Sequence, residues 1–314
     1  MEDCWVSTTS GESLPERLGK ERKRSLNIRV IAVILVAVLI VGAVAWLMVR
    51  FVSHPSEYTA RGWIYINGNG GFTHVNGVIG GRGTASNPYI IADWDINAST
   101  GGIYINGTDA HFIVRNCLVH DGIGYGGALC SGIHLSNCVN GTLENNICSN
   151  DWYGIDLAIS NNITLVNNIC RSNNQTGIDL WSSSNNTLTN NNCSSNINGD
   201  GICLRSSSNN NELSWNQVSN NGGDGVDISS SSNNHIYHNI IFGNNGATGT
   251  YNVSHAQARD DGTNNLWWNS TDGHGNYWSD WTTPDADLDG IVDQPYNIVG
   301  ITGAKDYYPL TAPP

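Results

Sequence analysis

The chain has 314 residues, of which 39% are hydrophobic and 13% are charged, so it is long and apolar enough to bury a large core. Its formal net charge of -13 at pH 7 argues against nucleic acid as a partner, because binding to phosphates requires clustered Lys and Arg.

The N-terminal part carries the pattern of a membrane anchor. Residues 1–27 are polar and predict a cytoplasmic tail, and the apolar run Val30–Val49 within residues 28–50 is long enough to cross a bilayer. Six basic residues precede this run: Arg17, Lys20, Arg22, Lys23, Arg24 and Arg29. Only Arg50 follows it closely, so the positive-inside rule places the N-terminus in the cytoplasm and the rest outside. A cleavable signal peptide is the alternative, although its apolar core would be shorter.

Residues 51–61 have the composition of a linker, and residues 62–250 contain a repeat. Aligned on glycine, the repeat begins at Gly102, Gly132, Gly154, Gly177, Gly201 and Gly225. The last four steps are 22, 23, 24 and 24 residues, and the first is 30 because of an insertion. A fixed period in this range is typical of stacked supersecondary units.

Each repeat holds two short runs with apolar residues at alternate positions, which indicates β-strands. Stacking the repeats also aligns a polar column that consists of Asn116, Asn146, Asn168, Asn191, Asn216 and Asn239. We expect these amides to hydrogen-bond from one repeat to the next. The predicted fold is all-β, a right-handed parallel β-helix. A leucine-rich-repeat horseshoe is the alternative, but it needs a helical convex side for which no segment is suited.

A row of outward positions lies beside the first apolar column and includes His134, Asp156 and Asp179. Carboxylates on adjacent repeats would lie about 5 Å apart, the separation found in retaining glycosidases. These three residues are therefore candidate catalytic groups. Exposed aspartates are also common at strand edges, so a purely structural role is the alternative interpretation.

Residues 251–314 are rich in Trp and Tyr and predict a cap over the end of the coil. The segment also contains a calcium-type loop with acidic residues at alternate positions: Asp285, Asp287, Asp289 and Asp293. Gly290 allows such a loop to turn, and hard Ca²⁺ prefers oxygen ligands. Tyr296 stands where an EF-hand has its bidentate Glu. A solvated acidic turn is the other interpretation.

Copper has few candidate ligands in this sequence. Met1 and Met48 both precede the predicted outer part, and His235 and His238 have no visible third partner. Cys148, Cys170 and Cys193 share one predicted inward column, where they serve as small apolar residues. We therefore expect calcium rather than copper.

The segments 83–96 and 108–117, and the ending Gly275-Asn-Tyr-Trp-Ser-Asp280, resemble archaeal surface proteins with NosD-like parallel β-helix repeats of the carbohydrate-binding and sugar-hydrolase (CASH) class. The resemblance covers about residues 60–310 and implies a β-helix. The family's namesake is a periplasmic protein connected with copper-site assembly in nitrous oxide reductase. Together with the sequence, the resemblance predicts a membrane-anchored extracytoplasmic protein that binds glycans or envelope proteins, or has a structural role. The alternatives are a glycoside hydrolase and a copper-site assembly factor.

Overall fold

The structure is a computed structural model that describes residues 58–124 and 130–314. The predicted membrane span at residues 30–49 lies outside the described residues. No helix within the described part of the chain is long and apolar enough to cross a membrane. The helical segments found there are five short 3₁₀ turns: Asn69–Gly71, His74–Asn76, Ala98–Thr100, Asn244–Gly246 and Val253–His255.

The chain winds through three long sheets, and its strands are numbered here in chain order. Sheet 1 contains, from one end to the other, β2 (Ile64–Asn67), β6 (Ile103–Thr108), β9 (Ile133–Cys138), β12 (Ile155–Ala158), β15 (Ile178–Trp181), β18 (Ile202–Arg205), β21 (Val226–Ser232) and β24 (Ala258–Thr263). Sheet 2 contains β3 (Val78–Gly80), β4 (Tyr89–Ala92), β7 (Phe112–Arg115), β10 (Gly141–Glu144), β13 (Thr164–Val166), β16 (Thr187–Thr189), β19 (Glu212–Ser214) and β22 (His235–Tyr237).

Sheet 3 contains β1 (Thr59–Arg61), β5 (Trp94–Asn97), β8 (Leu118–His120), β11 (Ile147–Ser149), β14 (Ile169–Arg171), β17 (Asn192–Ser194), β20 (Gln217–Ser219), β23 (Ile240–Phe242) and β25 (Tyr277–Trp278). A two-stranded sheet is formed by β26 (Tyr296–Asn297) and β27 (Lys305–Asp306).

One turn of the coil, called a rung here, contributes one strand to each long sheet. All strand pairs in these sheets are parallel except β3 with β4. The chain is thus an all-β parallel β-helix, and its topology fits the right-handed form because connections between parallel strands are nearly always right-handed. The three sheets exclude the leucine-rich-repeat alternative. Each rung has three strands rather than the predicted two, because the second predicted run bends in its middle, as it does at Asn167 between β13 and β14.

The core is a stack of apolar columns inside the coil. One column of sheet 1 contains Ile103, Ile133, Ile155, Ile178, Ile202 and Val226, all at most 1% exposed. Neighbouring strands are about 4.8 Å apart, so each side chain packs on the equivalent one above and below. The buried thiols of Cys148, Cys170 and Cys193 form such a column in sheet 3.

The corner between sheets 2 and 3 carries a ladder of buried Asn side chains. The Nδ2 of Asn168 donates to Oδ1 of Asn191 at 3.0 Å and to the carbonyl of Leu143 at 2.9 Å. The same two bonds recur for the other members, Asn146, Asn191, Asn216 and Asn239. Each amide therefore bonds the following rung through the next Asn and the preceding rung through a backbone carbonyl.

The predicted first member of this ladder was wrong by one residue. Cys117 occupies the buried position, and its backbone N donates to Oδ1 of Asn146 at 3.1 Å. Asn116 lies one residue earlier with a φ of 49°, and its side chain donates to Asp93. The strand register agrees, since Leu143 pairs with Val114 rather than with Ile113.

Two further Asn ladders and one Ser ladder were not anticipated. The corner between sheets 3 and 1 stacks Asn173, Asn196, Asn221 and Asn244. The corner between sheets 1 and 2 stacks Asn186, Asn211 and Asn234 beside Ser160, Ser183, Ser208 and Ser231. Every corner is thus held by side chains that bond the next rung.

The C-terminal segment packs on the last rung. Asn276 accepts from Nδ2 of Asn239 at 2.9 Å and so extends the ladder of sheets 2 and 3. The ring of Trp278 stacks on Tyr296 with centroids 3.9 Å apart, and both side chains are fully buried. Asp306 accepts from Nε1 of Trp278 at 3.0 Å, which ties the final strand to the coil.

Candidate functional site

One outward position on each strand of sheet 1 forms a continuous line across the rungs. These residues, called the outward row here, are Tyr65, Tyr104, His134, Asp156, Asp179, Cys203, Asp227 and Arg259, and each is the pairing partner of the next. The row changes along its length from aromatic to acidic. The chemistry of this surface therefore changes from rung to rung, although the backbone repeats.

The N-terminal end of the outward row is a stack of rings. Tyr65 lies 5.3 Å from Tyr104 with an interplanar angle of 16°, and Tyr104 lies 4.9 Å from His134 with an angle of 20°. Trp63 extends the stack, with its centroid 5.3 Å from that of Tyr65. Trp63 and Tyr65 are exposed at the first described rung of sheet 1, so a flat aromatic surface faces solvent there.

The middle of the row contains the three predicted catalytic candidates, and the structure brings them together on adjacent rungs. Nδ1 of His134 lies 2.7 Å from Oδ2 of Asp156, and both residues are buried. Asp179 is only 1% exposed and is held by Arg205, whose Nε and Nη2 lie 2.9 Å and 2.7 Å from its two oxygens. All three side chains are therefore already engaged with protein groups.

The Asp179–Arg205 contact is an ion pair. Burial raises the pKa of Asp179, and the hydrogen bonds from Arg205 oppose that shift. The same hydrogen bonds raise the pKa of Arg205. Two N–H donors on one carboxyl group need an ionised acceptor, so we assign Asp179 as a carboxylate. A carboxylate that is buried and paired in this way is poorly placed to act as a nucleophile or to give up a proton.

The C-terminal end of the row is a group of acids around a thiol. Ligand atoms of Asp200, Cys203 and Asp227 lie within 4.8 Å of one another. Burial, together with the charges of Asp227 and Asp224, raises the pKa of Asp200 to about 7. Burial and Asp227 raise the pKa of Asp224 to about 6. Protons are therefore retained here at a pH at which ordinary carboxyl groups have lost them.

The calcium-type loop has three of its four aspartates together. Carboxylate oxygens of Asp285, Asp287 and Asp293 lie within 4.8 Å of one another, and Oδ1 of Asp285 is buried without a hydrogen-bond partner. Asp289 is not in this group, since its Oδ1 accepts from the backbone N of Ile291 at 2.8 Å. Gly290 has a φ of 89°, a left-handed conformation that suits glycine.

A third cluster was missed from the sequence. His238, Asp272 and His274 place ligand atoms within 4.8 Å of one another, although His238 is more than thirty residues from the other two. The Asn ladder between sheets 2 and 3 carries the signal that would have revealed this cluster. Asn239 and Asn276 follow these histidines by one and two residues, so aligning the two asparagines would have placed the histidines side by side.

Solved structures similar to this chain include two epimerases and a lyase. The A-module of the mannuronan C-5 epimerase AlgE4 of Azotobacter vinelandii is 16% identical over 60% of this chain and 58% of that chain, with a TM-score of 0.45. Pectate lyase Pel9A is 14% identical over 70% and 68% with a TM-score of 0.45, and the periplasmic alginate epimerase AlgG is 15% identical over 70% and 51% with a TM-score of 0.45. The chain thus spans less than two thirds of the AlgE4 and AlgG chains. These similarities concern the fold alone.

The family follows from the sequence. Residues 64–283 match the family model described as periplasmic copper-binding protein (NosD), and the chain belongs to this NosD family. The predicted NosD-like β-helix repeats are thereby confirmed. No curated protein matches the sequence.

The family description names copper, but the buried cysteines are poor ligands for it. Cys148 and Cys170 lie inside the coil. The hydrogen bond with Cys170, together with burial, raises the pKa of the Cys148 thiol well above its ordinary value, and burial does the same for Cys170. Both shifts disfavour the thiolate that a soft metal needs. The cluster of His238, Asp272 and His274 fits a divalent ion better. Burial lowers the pKa of His238, so its imidazole is neutral and has a free electron pair for a metal.

Proposed function

We propose that this protein is an extracytoplasmic, membrane-anchored binding protein that holds a glycan chain along sheet 1. The observation that carries the proposal is the outward row. The exposed rings of Trp63 and Tyr65 lead without interruption into the polar side chains of His134 and Asp156. An aromatic face packs on the apolar face of a sugar ring, and this stacking is the contact on which the proposal rests.

Charge favours a neutral glycan over a polyuronate. After Arg50 the sequence holds 22 acidic and 7 basic residues, which gives a formal charge of 7 - 22 = -15. Arg205, the basic residue at the middle of the row, is already paired with Asp179. A polyanion would meet repulsion that a neutral polysaccharide does not.

The family description, the predicted anchor at residues 30–49 and the predicted topology support an extracytoplasmic location. Contact with neighbouring envelope proteins is the second use of such a surface. Hydrolysis is less well supported by the geometry. A glycosidase needs one carboxyl group to donate a proton and another to attack or activate water, whereas Asp179 is buried in an ion pair.

Binding of the full chain to a panel of neutral and uronate polysaccharides, with reducing-sugar release measured in parallel, tests the proposal. We expect binding to a neutral glycan without release. Tyr65→Ala should weaken that binding by up to about tenfold, because one aromatic stacking contact contributes about 0.5–1.5 kcal/mol. Tyr307→Ala is the matched control, since Tyr307 is 50% exposed and Tyr65 is 42% exposed.

Two outcomes contradict the proposal. Sugar release that disappears in Asp156→Asn would show a hydrolase. Absence of binding to every glycan would leave a structural or protein-binding role in the envelope.

A further inference from the structure

The missed cluster of His238, Asp272 and His274 lies where the last full rung meets the C-terminal segment. His238 occupies the corner between β22 and β23, while Asp272 and His274 belong to the loop that precedes β25. Nε2 of His238 is 3.2 Å from Oδ2 of Asp272, and Nδ1 of His274 is 3.7 Å from Oδ1 of Asp272. The two imidazoles thus face a single carboxylate from opposite segments.

The backbone around this cluster is fixed by hydrogen bonds. The N–H of His238 donates to the carbonyl of Gly275 at 2.7 Å, and the N–H of Asn269 donates to the carbonyl of His274 at 2.8 Å. The N–H of His274 also donates to Oδ1 of Asp272 at 3.0 Å. Because the loop is tied both to itself and to the rung, the three donors are held in place before any ligand arrives.

His238 has an unmet polar requirement. The residue is 8% exposed, and its Nδ1 is buried without a hydrogen-bond partner in the described chain. The ring of Trp215 covers it, with centroids 4.7 Å apart. Water or a proton can satisfy such an atom. The other ring nitrogen, Nε2, faces Asp272 and is the atom that the ring presents to the cluster. The His274 side chain is 43% exposed, so a solute can reach the cluster from solvent.

We propose that His238, Asp272 and His274 bind a divalent first-row transition-metal ion, with Zn²⁺ and Cu²⁺ as the ions best suited to these ligands. Imidazole nitrogen together with one carboxylate is a ligand set for such ions, and three protein ligands leave a coordination position for solvent or a further ligand. Ca²⁺ and Mg²⁺ are disfavoured because they require six or more oxygen ligands. The proposal does not depend on glycan binding.

The position of the cluster gives the metal a structural effect as well. One ligand belongs to the rung and two belong to the C-terminal segment, so a bound ion would join the two parts. A ligand that binds only the folded state raises the free energy of unfolding by mass action. We therefore expect Zn²⁺ to raise the melting midpoint of the cap.

The test uses the untagged full chain, titrated with Zn²⁺ in a calorimeter and with Cu²⁺ by electron paramagnetic resonance. We expect one bound ion whose Cu²⁺ spectrum shows nitrogen ligands. His274→Ala should weaken binding at least tenfold and reduce the nitrogen coupling from two imidazoles to one, and Asp272→Asn should weaken binding while keeping the side-chain shape. His235→Ala is the matched control. His235 is exposed and lies on β22, the strand that leads into the corner at His238.

His238 is buried, so His238→Ala is interpreted only if its melting curve shows a folded protein. The exposed His274 keeps the test decisive in either case. Unchanged affinity and unchanged nitrogen coupling in His274→Ala, or a titration of the wild type without nitrogen coupling, would overturn the proposal. Binding by the acidic groups around Asp200 or Asp285 would appear with oxygen or sulfur ligands and would therefore be distinguished.

Discussion

Asparagine has two different uses at three of the corners between sheets 2 and 3. The first of two successive residues adopts a left-handed backbone, as Asn145, Asn167 and Asn190 do with φ values of 56°, 57° and 55°. Asn is among the few residues that tolerate this conformation, because its short side chain can hydrogen-bond locally. The second residue, such as Asn168, is buried and bonds the next rung. The Asn-rich composition therefore follows from corner geometry.

Asn168→Leu should lower the free energy of unfolding by about 3 kcal/mol or more. The change leaves the backbone and side-chain N–H groups of Asn146 without their acceptor, and the carbonyl of Leu143 without its donor. Each buried unpaired group costs about 1–3 kcal/mol. Urea unfolding of the full chain measures the effect.

The matched control for that change is Asn198→Leu, since Asn198 is exposed and its side chain bonds only another Asn at the surface. We expect it to alter the free energy of unfolding by less than about 1 kcal/mol. Equal effects of the two substitutions would show that the ladder does not stabilise the coil.

At the scale of strands and corners, the sequence predicted what repeats and could not predict what departs from the repeat. Apolar alternation placed the inward columns correctly from Gly132 onward, because each rung there has nearly the same length. Asn116 was misplaced because an Asn suits both corner positions and residue identity alone does not separate them. Asp272 and His274 approach His238 because the C-terminal segment continues the ladder at Asn276. An alignment based on the repeat period ends before this segment and therefore does not find the contact.

Calcium binding by the calcium-type loop remains a prediction. We propose that Asp285, Asp287 and Asp293 hold Ca²⁺, since their oxygens converge and Oδ1 of Asp285 has no partner. A chelator should then lower the melting midpoint of the full chain, and Asp287→Asn should abolish that difference. Asp289→Asn serves as the control in the same loop, because Asp289 lies outside the group of converging carboxylates. A melting curve that is insensitive to the chelator and to added Ca²⁺ would contradict the prediction.

At the scale of the whole molecule, the acidic end of the outward row makes stability depend on pH. The folded-state pKa of Asp200 is about 7 against an ordinary value of 3.8, mainly through burial. The folded protein thus keeps a proton that the unfolded chain has released between about pH 4 and pH 7. The resulting stabilisation is complete below about pH 4 and is lost as the pH rises through about 7. The free energy of unfolding should therefore fall over this range.

Asp200→Asn should reduce that slope by up to about 1 kcal/mol per pH unit, because the variant no longer exchanges this proton. Urea unfolding at about pH 5 and about pH 7 measures the slope. Asp109→Asn removes the same charge from an exposed site and should leave the slope nearly unchanged. Parallel pH profiles for the wild type and Asp200→Asn would contradict the assignment.

The ladders must stay in register, which favours changes in chain length by whole rungs. Loss of residues 154–176, one full rung, would bring Asn146 opposite Asn191 and Ile133 opposite Ile178, so the core and corners would close again with the same chemistry. The outward row would instead acquire a new neighbour pair, His134 beside Asp179. Duplication or loss of whole rungs can therefore lengthen, shorten or reorder the exposed surface while the packing of the core and the hydrogen bonds of the corners are kept.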